Sequence, residues 1–164
     1  MFGMRFWVIL TVAVVAMPVV AGANDVASAQ YIGARACMPC HRSAAQGNMW
    51  NIWLRSKHAK AYDTLASARA RVNVTDPQND GKCLRCHVTA YGVPAARKHR
   101  RFNQREGVGC EACHGAGDLY KNKRVMCQIT AGEITAASVG LVIPNQETCV
   151  TCHNSDSPTW PGSF

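Results

Sequence analysis

Between Ala44 and Val72 the chain repeats with helical spacing: Leu54, His58, Ala61 and Leu65 fall at steps of four, three and four on one face, flanked by Trp50 and Tyr62. One helix is expected over 44–72. The run Asp76-Pro77-Gln78-Asn79-Asp80-Gly81 ends it in a turn and loop. Gly92-Val93-Pro94 opens a second loop, which continues through a basic cluster to Gly107 and Gly109. A short helix is expected from about Thr130 to Val139, stopped by Gly140, and a last short turn follows Pro144. Alternating apolar and polar positions never extend beyond a few residues, so no strand is expected. The fold class is mainly α and loop-rich.

The amino-terminal pattern differs. Arg5 precedes an apolar run from Phe6 to Val20, interrupted only by Thr11 and Pro18. A short basic start, an apolar stretch of about fifteen residues and small residues beyond it describe a secretory signal. Cleavage after Ala29 gives a signal peptide of 1–29 and a mature domain of 30–164; cleavage after Ala23 is the alternative. The run is short for a membrane span, which takes about twenty residues. A membrane association therefore arises only if the segment stays uncleaved as an anchor. Export places the protein in the periplasm.

Composition changes the picture of the core. Aromatics are 7% and charged residues 17% of the chain, so a large hydrocarbon core is not evident. The cysteines explain what replaces it. Eight of the nine fall in four CxxC pairs, each followed by histidine: Cys37-Met38-Pro39-Cys40-His41, Cys83-Leu84-Arg85-Cys86-His87, Cys110-Glu111-Ala112-Cys113-His114 and Cys149-Val150-Thr151-Cys152-His153. CxxCH is the attachment sequence of c-type haem. One helical turn brings both sulfurs to the two vinyl groups of a porphyrin, and the next residue carries its imidazole to the iron. A zinc site of paired CxxC units needs no histidine at each pair. Thiol-redox pairs usually stand singly at a βαβ edge, and no such pattern is visible. Four covalently bound haem c groups are therefore expected, held by Cys37, Cys40, Cys83, Cys86, Cys110, Cys113, Cys149 and Cys152. The proximal iron ligands are His41, His87, His114 and His153.

Four haems in 135 mature residues leave about 34 residues each, so neighbouring porphyrins must lie close. Closely spaced haems pass electrons along a chain. The motif spacings of 46, 27 and 39 residues exclude a regular repeat. The formal charge of +8 survives removal of residues 1–29, and the haem propionates offset most of it. Nucleic acid is not an expected partner, because the chain is exported and its basic residues are scattered. The cluster Arg97-Lys98-His99-Arg100-Arg101 either meets propionates or docks an acidic partner.

Each iron has a second axial position. The only histidines outside the motifs are His58 and His99, and both are candidate distal ligands. At least two haems then lack an internal distal histidine. Met38, Met49 and Met126 are alternatives, as is an open sixth position; Met38 lies within its own motif and is badly placed to bend back. Cys127, the unpaired ninth cysteine, is expected to be a buried apolar thiol, with an intermolecular link or an iron ligand as alternatives.

The chain resembles the cytochrome c-554 family of tetrahaem periplasmic cytochromes. The resemblance rests on Tyr31-Ile32-Gly33, Ser56-Lys57-His58-Ala59-Lys60-Ala61 after Trp53, Cys86-His87-Val88-Thr89-Ala90-Tyr91-Gly92, Gly107-Val108-Gly109-Cys110-Glu111-Ala112-Cys113-His114-Gly115-Ala116-Gly117, and Cys152-His153-Asn154 with Ser157-Pro158. It implies a small multihaem cytochrome c organised around its haems. It further implies electron transfer, face-to-face haem pairs, mostly bis-histidine iron and often one five-coordinate haem. His58 matches the family's distal histidine on this helix. Relatives often carry a histidine shortly after the third motif's Gly-x-Gly, where this chain has Asp118, Leu119 and Tyr120. Relatives also tend to continue past the fourth motif with further histidines, whereas this sequence ends at Phe164.

The expected function is electron transfer between redox partner proteins, with no chemistry on a substrate. Two alternatives stand beside it. One is an enzyme acting on a small nitrogen oxide, hydroxylamine or peroxide at an open haem. The other is a self-associating subunit of a polymerised haem conductor.

Overall fold

The protein is described here by a computed structural model covering residues 23–72, 74–157 and 162. The signal segment lies outside the described residues as far as residue 22. Among the described residues there are nine short α-helices, of four to eight residues each. They are α1 (Ala23–Ser28), α2 (Met38–His41), α3 (Met49–Arg55), α4 (Ala61–Thr64), α5 (Ala68–Arg71), α6 (Gly81–His87), α7 (Cys110–His114), α8 (Lys123–Thr130) and α9 (Gln146–Val150). Short 3-10 turns and loops join them. No strand occurs among the described residues; the only β pairing is an isolated bridge between Tyr31 and Lys98. The fold is helical and loop-rich. No helix among the described residues is long and apolar enough to cross a membrane.

The single helix expected over 44–72 is broken into α3, α4 and α5 with 3-10 turns at Ala44–Gln46 and His58–Lys60. The breaks have local causes. Gly47 and Asn48 both adopt left-handed backbone, at φ 75° and 53°, which ends one turn and starts α3 in a new direction. Ser56 is extended at ψ 164°, and its hydroxyl accepts the Ala59 amide. Ser67 caps α5 by accepting from the Ala70 amide. The apolar periodicity nevertheless picked inward residues: Ala61 and Leu65 are buried, although Leu54 and His58 are exposed.

The helix expected over 130–139 is likewise displaced. α8 starts earlier, capped by Asn122, whose side chain accepts from the Arg124 amide, and ends at Thr130. A turn then leads to the 3-10 segment Ala136–Val139, capped by Thr135 and ended at Gly140. After Pro144, Asn145 and Thr148 form a reciprocal capping box that starts α9, the expected last turn.

The side-chain core is thin. One cluster joins Leu65 below α4 to Leu84 of α6 and Val88 just beyond it, with Tyr62 and Cys83 packed against it. The other buried apolar residues are Ala29, Ile32, Ala34, Ala61, Ala116 and Tyr120, mostly small. The amino-terminal part of the described chain is integrated: Ala29 is buried and accepts from the Arg97 Nε–H, and Tyr31 exchanges backbone bonds with Arg97 and His99.

Candidate haem centres

Each CxxCH sequence folds as a helical turn. In the first, Pro39 sits in the opening turn of α2, where its missing N–H costs no hydrogen bond, and the His41 amide donates to the Cys37 carbonyl at 3.1 Å. The second fills α6, capped by Asp80, whose carboxylate accepts the Lys82 amide at 2.6 Å. The third is α7. The fourth leaves α9 in a continuing turn, with the His153 amide on the Cys149 carbonyl at 2.9 Å.

Two of the motif imidazoles are oriented by a backbone carbonyl. His87 Nδ1 lies 2.7 Å from the Ala61 oxygen, and His114 Nδ1 lies 3.0 Å from the Val142 oxygen. A carbonyl only accepts, so Nδ1 carries the proton and Nε2 presents a lone pair. That is how a second partner fixes the tautomer and direction of a metal-binding histidine. The residues thus fit an iron-bearing group, and the thin core fits a large apolar one. By contrast, no three His, Cys, Asp or Glu side chains converge as a metal cluster among the described residues.

The motifs also meet one another. The Cys37 thiol donates to the Cys110 sulfur, which pushes Cys37 well above the usual thiol range and holds Cys110 below it. Cys86 is pushed up to about 11, first by burial and then by Cys152, which also hydrogen-bonds it. Burial raises Cys113 too, with Cys149 and Cys152 adding to it. Arg85 of α6 pairs with Asp156 beyond the fourth motif at 3.0 Å, both exposed. Motif one therefore adjoins motif three at Cys37 and Cys110, motifs three and four share a cleft between α7 and α9, and motif four meets motif two where Cys152 lies 4.0 Å from the Arg85 carbonyl. Once the sulfurs are thioethers they no longer titrate, but the adjacency stays.

Clefts open beside the motifs. One of about 680 Å³ has Cys37, Cys40 and His41 on one side and α8 on the other. A second, of about 470 Å³, lies between α7 and α9 and is lined by Cys113, Ile143, Thr148 and Thr151. Both are within the size range of ligand sites.

The candidate distal residues fall in different settings. The His58 ring lies edge-on to His153, with centroids 6.0 Å apart. Partial burial, and then His153, lower its pKa. His58 is held from behind. Its carbonyl accepts the Val108 amide at 3.0 Å, and the Val108 carbonyl accepts the Trp53 indole N–H at 2.8 Å. Gly107 makes this approach possible: a Cβ there would sit 2.6 Å from the His58 oxygen, and φ is 75°. His99 is different. Its Nδ1 accepts the Arg101 amide at 3.2 Å, so in the neutral ring Nε2 carries the proton and presents no lone pair. Met49 is exposed on α3. Cys127 is exposed on α8, not buried, because α8 turns it toward the cleft beside motif one.

The sequence reading missed Glu111, between the cysteines of motif three. It is buried at 3% exposure. Its carboxylate accepts from the amides of Ile32 (2.9 and 3.1 Å), Gly33 (2.8 Å) and Gly117 (2.7 Å). Burial pushes its pKa up, against the downward pull of these amides. Glu106 assists by accepting the Ala34 amide at 2.9 Å. A charged residue at an x position of CxxCH, with glycines on both sides, was the available signal.

Comparison with known proteins agrees with this geometry. The family described as cytochrome c554 and c-prime matches residues 36–115, which hold the first three motifs. Cytochrome c-554 of Nitrosomonas europaea is 28% identical over 169 aligned residues, covering 93% of this chain and 70% of the relative. No solved structure matches significantly. Matching sequence across nearly the whole chain and a helical turn at each CxxCH lead to one likeness: the chain is similar to the cytochrome c-554 family.

Proposed function

We propose that the protein is a periplasmic tetrahaem cytochrome that relays electrons between a donor and an acceptor protein. The observation that carries this reading is the proximity of the motifs: Cys37 lies beside Cys110, α7 and α9 flank one cleft, and Cys152 lies against the Arg85 carbonyl of motif two. Four haems tethered at those positions make a continuous line, with motifs one and two at its ends. Cys37, Cys40, Cys83, Cys86, Cys110, Cys113, Cys149 and Cys152 would hold them, with His41, His87, His114 and His153 as proximal ligands. The haem supplies a reversible one-electron change at iron, and the chain's own part is to hold, space and insulate the groups.

Redox partners meet the ends of that line. Arg97 bonds the Ala29 carbonyl, and Lys98 lies over the Phe102 ring at 5.9 Å, so both are engaged within the fold. Arg100 and Arg101 are exposed and remain available to acidic groups on a partner.

Intact mass of the secreted holoprotein tests the reading. The expected excess over the polypeptide is four haems, retained under denaturing, acidic extraction; three or fewer would overturn the count. The same spectrum reports the processing site. A polypeptide mass beginning at Gln30 is expected, from cleavage after Ala29; a mass beginning at Asn24 would mark cleavage after Ala23 instead.

Distal ligation follows from the same geometry. Two imidazoles on opposite sides of one metal, each nitrogen ~2 Å away, have ring centres roughly 6 Å apart. The 6.0 Å approach of His58 to His153 supports His58 as the distal ligand of the fourth-motif iron. Substituting His58→Ala is expected to turn one low-spin haem high-spin in the EPR spectrum while all four haems stay attached. An unchanged spin count removes His58 from the ligand set.

A second reading, small-molecule chemistry at an open haem, is favoured by the Nδ1 bond that turns His99 away from ligation. Carbon monoxide binding to the reduced protein detects the open iron that this reading needs.

A further inference from the structure

Helix α8 is not accounted for by the relay. It carries no haem motif, yet it lines the same cleft as Cys37, Cys40 and His41. Its residues on that cleft include Lys123, Met126 and Cys127. The cleft also receives Tyr120, at the place after motif three where this chain lacks a histidine.

We infer that Met126 supplies the sixth iron ligand at motif one, making this a His41/Met126 haem; the inference rests on the haem assignment of motif one made above. Elimination within the cleft supports it. The Tyr120 hydroxyl is engaged with the carbonyls of Gly115 at 2.7 Å and His114 at 3.1 Å, and the residue is buried at 8% exposure. Cys127 is an exposed thiol and must lose a proton to bind iron as thiolate. Lys121 and Lys123 are exposed ammonium groups that must also lose a proton and their hydration. Met126 is half-buried, and its thioether binds iron with no proton to remove.

The helix holds Met126 in register. Its amide donates to the Asn122 carbonyl at 3.0 Å, and its carbonyl accepts the Thr130 hydroxyl at 2.9 Å. Upstream, the Lys121 amide donates to the Gly117 carbonyl at 2.9 Å. Gly117 is itself bound by Glu111, so α8 is anchored to motif three, the neighbour of motif one.

The functional consequence is a difference in potential. A methionine ligand raises the potential of a c-type haem relative to two histidines. Motif one stands at one end of the line and the His58-facing motif four stands within it. An electron would therefore tend to rest on motif one, which makes that end the acceptor side of the cytochrome.

The experiment uses the holoprotein with Met126→Leu, Met126→His and Cys127→Ser variants. Met126→Leu conserves volume, so the cleft is not left empty. Wild type is expected to show the far-red sulfur-to-iron charge-transfer band of oxidised methionine-ligated haem. Met126→Leu should lose that band and convert one low-spin haem to high spin. Met126→His should lose the band, stay low-spin and lower the highest of the four potentials. Cys127→Ser should leave band and spin count unchanged. Absence of the band in wild type, its survival in Met126→Leu, or its loss in Cys127→Ser overturns the inference. Haem mapping of the motif-one peptide separates the two levels: a peptide without haem overturns the assignment on which the inference rests, whereas a haem-bearing peptide with an unaffected Met126→Leu spectrum overturns the inference alone.

Discussion

The chain made without haem, through cysteine-to-serine substitution at all eight motif positions, is expected to show no cooperative thermal unfolding. Its far-ultraviolet circular dichroism should lie close to that of an unfolded chain. Isolated helices shorter than about 12–15 residues are marginal in water, and the longest among the described residues has eight. Tertiary burial must therefore stabilise them. Yet the buried apolar cluster consists of Leu65, Leu84 and Val88, and four of the other buried apolar residues are alanines. A buried leucine or valine contributes about 1.5–3 kcal/mol, whereas ordering one residue's backbone costs about 1–2 kcal/mol. A handful of such residues cannot order a chain of this length. Meanwhile Met49, Ile52, Leu54, Val142, Ile143 and Val150 are exposed in the protein part alone. Val142 and Ile143 line the cleft at motif three, where a porphyrin face would cover them. A cooperative melt in the haem-free chain would show that side chains suffice and that the haems are fitted into a preformed shell.

How much of this was legible in the sequence depends on the range of the forces involved. CxxCH states its chemistry within five residues, so the haem sites could be read directly. Gly140 and the Asn145–Thr148 box act over one turn, and the ends of those elements could be read too. The 44–72 segment misled because apolar periodicity reports which residues face inward, not whether the axis is continuous. The left-handed Asn48 and the extended Ser56 and Ser67 redirect the chain while keeping Ala61 and Leu65 inside. The role of Gly107 depends on the His58 carbonyl, about fifty residues away, and no local pattern announces it. Cys127 was expected to be buried because free cysteines usually are; its place on the cleft face of α8 is a property of how α8 docks. The order of the motifs in space differs from their order in sequence for the same reason.

Glu111→Ala is expected to lower the stability of the holoprotein by about 3–5 kcal/mol, because three buried amides lose their acceptor at about 1–3 kcal/mol each. The carboxylate is the only group satisfying the amides of Ile32, Gly33 and Gly117 in the described structure. An amide left buried without a partner costs about 1–3 kcal/mol. Some relaxation toward water keeps the total below three such penalties. The consequence reaches beyond stability, since Ile32 and Gly33 lead directly into Ala34, whose carbonyl receives the Cys37 amide at 3.0 Å. Glu111 thereby ties the entry of motif one to the body of motif three, where Cys37 and Cys110 meet. Glu111→Gln should be intermediate, because one carboxamide oxygen still accepts while the amide nitrogen faces groups that only donate. Chemical denaturation of both variants gives the stability order. The EPR spectrum gives the coupling: loosening this tie should alter the magnetic interaction between the haems of motifs one and three while leaving the motif-two signal in place. A Glu111→Ala protein as stable as wild type, with unchanged spectra, would mean that water replaces the carboxylate and that the two motifs are held together by their haems alone.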